Sequence, residues 1–417
     1  MTRNHIRSWL TRLQIVPFIF LAVLMMGQAA PAEDLTSTLR KAVPGSVISL
    51  PAGDYGELDI QGLSGAKDAP IILKAADPAD PPRFSKMVLR EVKHFILEDA
   101  VLDYRFAPGD PTHHRPFQIL DSSDITLRRV LIDGDVATGR DTESNGFPIG
   151  YGLNVIRTDG FRLEDSEIRN FHRGLVVGES HDLAILRNDV HSMRSDGMNF
   201  AQVEQILIEG NHIHDFNTSK GSKDHPDMIQ FWTNGTKSPS VGIVIRNNVL
   251  NSGRGHFTQS IFMRNDLVDR GLAGKEMFYR DIIIEENVII NAHLHGITVG
   301  ETNGLIIRHN TVLHNALSDG EMDNPTVYRP QIRVSPDSVN VVIKRNVATK
   351  IAGWDQQPSW KLADNYLVQD VTRAKAGFYS TVFTNPFGDP SDLSSFFYKQ
   401  DGPLGKTDIG ASRLRAK

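Results

Sequence analysis

From about residue 45 onward the chain runs as short alternations of apolar and polar positions, broken by Gly, Asn and Asp. Segments such as GMNFA (197–201), LIEGNHIHDF (207–216) and MIQFW (228–232) have the period of two expected of strands with one buried face. Helical periodicity is confined to the start, where Leu35, Leu39 and Ala42 mark a short amphipathic helix. Pro44-Gly45 then turns the chain into VISL, and strands follow.

The strands repeat. An Asn recurs in one local pattern at Asn188, Asn211, Asn248, Asn287, Asn310 and Asn346, with spacings of 23, 37, 39, 23 and 36 residues. The short spacing defines the unit, and the longer ones are that unit with an insertion. Three short strands in so few residues make one coil of a parallel β-helix, whose coils stack about 4.8 Å apart and hide their apolar face only against their neighbours. An Asn at the same turn of every coil satisfies turn backbone groups along the stack. A propeller blade needs about 40 residues or more, which the basic unit does not reach.

Register follows from the inward pairs Leu153/Val155, Leu175/Val177, Met198/Phe200, Ile229/Phe231, Ile261/Met263, Ile297/Val299 and Ile332/Val334. Alternation puts Asn154, Val176, Asn199, Gln230, Phe262, Thr298 and Arg333 outside. A second outward column holds Trp232, Arg264 and Ser335, and Tyr151, Arg173, Asp196, Asp227, Gln259, His295 and Pro330 stand just before the strands. Insertions at about 217–227, 252–280 and 316–330 close on this face and would rim a groove.

Composition narrows the setting. Arg3, Arg7 and Arg12 precede an apolar run (15–26) and Ala30-Pro31-Ala32, the layout of a secretory signal over 1–32. Its removal takes three arginines and no acid, moving the net charge from −5 to −8. The expectation is a periplasmic or secreted monomer with no membrane span after processing and no general basic surface for nucleic acid. Cysteine is absent, so no disulfide contributes.

Three stretches resemble a known family. The opening helix with PGSVISLPAGDY (44–55) is similar to the N-terminal cap of pectin-lyase-like, right-handed parallel β-helix proteins. APIILKAADPADPP (69–82) resembles the second coil of the alginate and chondroitin lyase type, and GPLGKTDIGA (402–411) resembles the closing segment. The resemblance covers residues 34–415 and includes polysaccharide lyases and mannuronan C5-epimerases. It implies an all-β, single-stranded, right-handed parallel β-helix over 33–417, with a cap at 33–60 containing the helix and a closing segment at 350–417.

Candidate chemistry centres on 196–232. His225, between Asp224 and Asp227, is the leading general acid or base, because flanking carboxylates raise an imidazole's pKa or orient its ring. Arg264, Lys223 and Lys220 are candidates to neutralise a substrate carboxylate, with a salt bridge as the competing role for Arg264. Asp196 and Asp227, on successive coils, are candidate Ca²⁺ ligands or an acid–base pair. Asn199, Gln230, Trp232, Gln259, His256, His295 and Arg333 complete a substrate wall, with Trp232 as a sugar-stacking platform. No organic cofactor motif is present.

Such a groove suits an extended anionic polysaccharide containing uronic acids. β-Elimination by a lyase ranks first. Lyases dominate the cap and second-coil resemblance; C5-epimerisation needs the same residue types and ranks close behind, and DHPD (224–227) resembles the epimerase Asp-Pro-His-acidic motif but with Pro and His transposed. Hydrolysis and non-catalytic binding or export of a polysaccharide are the further alternatives.

Overall fold

The structure, a computed structural model, describes residues 32–219, 221–253, 258–314 and 325–415. The signal segment expected at 1–32 lies almost wholly outside these residues, as do Lys220 and His256. A helix over Ala32–Arg40 opens the described chain and buries Leu35 and Leu39 against the first coils. Every strand after it pairs in parallel with the strand one coil away. Among the described residues two sheets result, of 21 and 12 strands. The larger bends to supply two faces of the solenoid, and the long strands Arg173–Leu186 and Met198–Glu209 run around that bend.

The inward pairs read from sequence are in register through all seven coils: Leu153 with Leu175, Leu175 with Met198, Met198 with Ile229, Ile229 with Ile261, Ile261 with Ile297, and Ile297 with Ile332. Their side chains form one continuous apolar core. One position differs. His295 pairs with Gln331, not with Pro330, because the register shifts between His295 and Ile297.

The asparagines form a ladder. The Oδ1 of Asn248 accepts from both the backbone N–H and the Nδ2 of Asn211, each at 2.9 Å, and Asn211 Nδ2 also donates to Ile185 O. The same bonds link Asn188, Asn211, Asn248, Asn287, Asn310 and Asn346, and they continue to Asn365. The residue before each ladder Asn is left-handed, with φ from 53° at Asp364 to 70° at Gly210. Glycine fills only one of these seven turns. Elsewhere an L-residue takes the unfavourable backbone, and the Asn bonds hold it there.

The last coil ends at Tyr366–Leu367. The following segment folds back over the outer side of the smaller sheet, where Val368, Tyr379, Phe383, Phe396 and Tyr398 bury Val288, Ile290, Leu313 and Val347 in a second core.

Candidate active site

Glycine sets the spacing at the start of the groove strands. A Cβ on Gly174 would meet Gly197 O at 2.5 Å, and one on Gly197 would meet Met228 O at 2.6 Å. With no side chain there, the coils close up and bring Arg173, Asp196 and Asp227 together. Arg173 Nε lies 2.9 Å from Asp196 Oδ2, and Asp196 Oδ1 accepts the Asp227 backbone N–H at 3.2 Å. The Arg173 guanidinium also sits 5.5 Å from the Tyr151 ring centroid and 5.2 Å from that of Trp232.

Asp227 is fully buried, and Asp196 is 1 % exposed. Asp227 Oδ2 accepts from Gln230 Nε2 at 2.6 Å and lies 3.5 Å from His225 Nδ1. Gln230 Oε1 in turn accepts from Asn199 Nδ2. Burial, helped by the Asp196 carboxylate, pushes Asp227 up to about 7 against the opposing pull of His225 and Arg173. His225 is raised above its ordinary value, chiefly by its bond to Asp227 and against partial burial. Its side chain is 70 % exposed. A mobile-proton pair therefore has one member in the groove and the other sealed beneath it.

Asp224 does not partner His225, contrary to the expectation from DHPD. Its carboxylate turns inward to Arg194 Nε at 2.9 Å, His172 Nε2 at 3.3 Å and Ser222 Oγ at 2.8 Å. Burial raises its pKa, but these partners outweigh that effect and hold it well below the usual carboxylate range. The reason is charge pairing: Arg194 is 4 % exposed and requires a counterion. Asp224 thus anchors the loop that presents His225.

Arg264 is half-exposed and lines one of the two concavities on this face, and it also makes the salt bridge that competes with a substrate role. Its Nε lies 2.8 Å from Asp269 and 3.6 Å from Asp266, in the turn that follows it. It also stands across the groove from His225. A strand rises about 3.3 Å per residue, so Asp227 and Trp232 are about 16 Å apart, and Arg264 aligns with the far end.

The other expected residues that the structure describes share this face. Lys223 is exposed beside His225, and Gln259 is buried in register with Asp227. His295 bonds Thr298 Oγ1 at 2.7 Å and stacks on His293. Burial, and then the charge of Arg333, lower His295 to about 4. Arg333 donates to Gln331 at 3.2 Å.

A guanidinium pairs with Asp196 Oδ2, and Gln230 and His225 both meet Asp227 Oδ2, while Asp227 Oδ1 is buried without a hydrogen-bond partner; among the described residues no third acidic or imidazole side chain joins Asp196 and Asp227 in ligating geometry.

Sequence reasoning passed over Arg173, His172, Tyr151 and Arg194. Arg173 stood in the correct column, beside Asp196 and before an aromatic coil, but the column alone does not say which neighbour a long side chain chooses.

Two concavities occupy this face. One of about 280 Å³ is lined by Val176, Asn199, Ala201 and Trp232, and one of about 460 Å³ by Phe262, His295, Thr298 and Arg333. They lie on either side of the Asp227–Trp232 strand. Together they span eight coils, or about 34 Å from first to last, a shape for an extended molecule.

Residues 130–357 match the family described as the right handed beta helix region. No curated protein matches the chain. Among solved structures it is similar to PfbA, a surface adhesin of Streptococcus pneumoniae (10 % identity, 83 % of this chain and 92 % of that one, TM-score 0.49). It is also similar to pectate lyase Pel9A (14 %, 90 % and 90 %, TM-score 0.45). A third is the A-module of the Azotobacter vinelandii mannuronan C-5 epimerase AlgE4 (14 %, 81 % and 89 %, TM-score 0.40).

Proposed function

This chain belongs to the right-handed β-helix family, and we propose that it is a polysaccharide lyase that cleaves an anionic, uronate-containing chain by β-elimination. The observation that carries the proposal is the exposed His225 imidazole backed by the buried Asp227. With Nδ1–H directed at Asp227, the other ring nitrogen of His225 is free to take a proton from substrate, and the buried carboxylate stabilises the imidazolium that forms.

In the proposed step His225 removes the C5 proton, the C5–H electrons form the C4=C5 double bond, and the C4–O bond breaks. The same imidazolium then returns the proton to the departing oxygen. Lys223, exposed two residues from His225, supplies positive charge to the uronate carboxylate, which acidifies C5, while Arg173 balances the buried Asp196 beneath. The Trp232 ring offers a sugar face a flat apolar surface.

Burial argues against hydrolysis. A glycosidase needs carboxyl oxygens within reach of the glycosidic oxygen and of water, whereas Asp196 and Asp227 are both sealed. Epimerisation needs a proton donor on the opposite face of the sugar ring, and the described candidates line one wall.

The test is incubation of the mature protein with a panel of polyuronates, following the ultraviolet absorbance of an unsaturated uronate and deuterium uptake from D₂O. A rise in absorbance that vanishes in His225→Ala supports the lyase. Deuterium at C5 without that rise replaces it with an epimerase, and chain shortening with neither replaces it with a hydrolase. Binding without any of these makes it a polysaccharide-binding protein.

A further inference from the structure

Away from the groove, the outer side of the smaller sheet carries a cluster the proposed reaction does not use. Strands Asp189–His191 and His212–His214 pair with Asp189 beside His212 and His191 beside His214. Period-two alternation turns all four side chains outward. His214 Nε2 lies 2.8 Å from Asp189 Oδ1, and His212 Nδ1 lies 3.6 Å from the same oxygen. One ligand atom from each of Asp189, His212 and His214 falls within 4.8 Å of the other two.

The two Asp189 separations bracket the edge of a tetrahedral site, and the His212 and His214 rings lie face to face with centroids 4.0 Å apart. With bonds of about 2.0–2.1 Å, the edge of a tetrahedral zinc site is about 3.4 Å, between the two distances seen here. The surroundings fit as well. Asp215 Oδ2 holds the remaining nitrogen of His214, Nδ1, at 2.6 Å, which fixes the ring with Nε2 toward Asp189. Arg169, one coil away, is committed to Asp133 and Glu167 and does not neutralise Asp189.

We propose that Asp189, His212 and His214 bind a divalent transition-metal ion of the zinc type, with a fourth position open to water. Two imidazoles and one carboxylate select such an ion over Ca²⁺ or Mg²⁺, which prefer oxygen ligands alone. By joining side chains from two coils, the ion ties the solenoid together beside the edge of the closing segment, where Asn251, in register with His214, bonds Pro390 O.

The experiment is calorimetric titration of the tag-free mature chain with ZnCl₂ and, separately, CaCl₂, followed by the visible spectrum of the Co²⁺ form. The expected result is one equivalent of Zn²⁺, no Ca²⁺ uptake, loss of binding in His212→Ala and His214→Ala, and roughly 10- to 100-fold weaker binding in Asp215→Asn. His225→Ala should bind Zn²⁺ as the parent does, which separates this site from the groove. The proposal is overturned if Zn²⁺ is not taken up, if uptake survives both histidine substitutions, or if it depends on His225. The variants change outward side chains, and a far-ultraviolet spectrum matching the parent's establishes that each has folded.

Discussion

At the residue scale, His225 is expected to set the rate. Replacing it by alanine should lower kcat by about 10²- to 10⁴-fold with little change in KM, since an exposed side chain contributes little to folding. Because the base form is the reactive one, kcat/KM should rise with pH, and its midpoint should lie above the ordinary imidazole value of about 6.5, as the raised pKa of His225 requires. A midpoint below that value would remove His225 as the base. Asp227 should behave oppositely in activity and stability. Its folded pKa, about 7, exceeds the unfolded carboxyl value, so the folded state binds this proton more tightly. The contribution to stability is therefore favourable at low pH and is lost as pH rises through about 7. Asp227→Asn should lose activity yet melt higher than the parent near about pH 8, with the difference shrinking toward about pH 4; equal melting curves at both values would contradict the burial argument.

At the element scale, the ladder is what sharpens the turns. Asn248 receives two bonds from Asn211 and gives bonds to Ile208 O and to Asn287. Asn248→Ala would leave the Asn211 N–H and the Ile208 carbonyl buried without partners, at about 1–3 kcal/mol each. The melting temperature should fall clearly, and it should fall less for Asn365→Ala at the half-buried end of the ladder. Equal losses would show that the interior bonds have no special weight. The ladder was readable in the sequence because it is a local device repeated at one turn. Its seventh member, Asn365, was not, because it follows Asn346 by 19 residues, short of the 23-residue unit that defines the repeat.

At the scale of the whole molecule, stacking alone does not finish the structure. The smaller sheet is apolar on its outer side in the later coils, and the closing segment covers it there. A chain ending after Leu367 should expose Val288, Ile290, Leu313 and Val347 together and associate in solution. Light scattering against the intact chain would detect this, and a truncated chain that stayed monomeric would show that the cover is dispensable. The earlier coils of the same sheet carry Asp189, His212 and His214 outward.

The sequence by itself determined the coil, the inward pairs, the outward columns and the face on which long insertions converge, because each follows from backbone periodicity and the need to bury every second side chain. It also brought Asp227 and His225 to one strand start. Only the tertiary structure decided the partners. Asp224 follows Arg194 into the interior and leaves His225 to Asp227; Arg173 pairs with Asp196 between Tyr151 and Trp232; Arg264 folds back onto Asp269. Long charged side chains have several neighbours within reach, and the one they choose is set by which buried charge would otherwise stand alone. That is a property of the packed coils, to which no single repeat gives access.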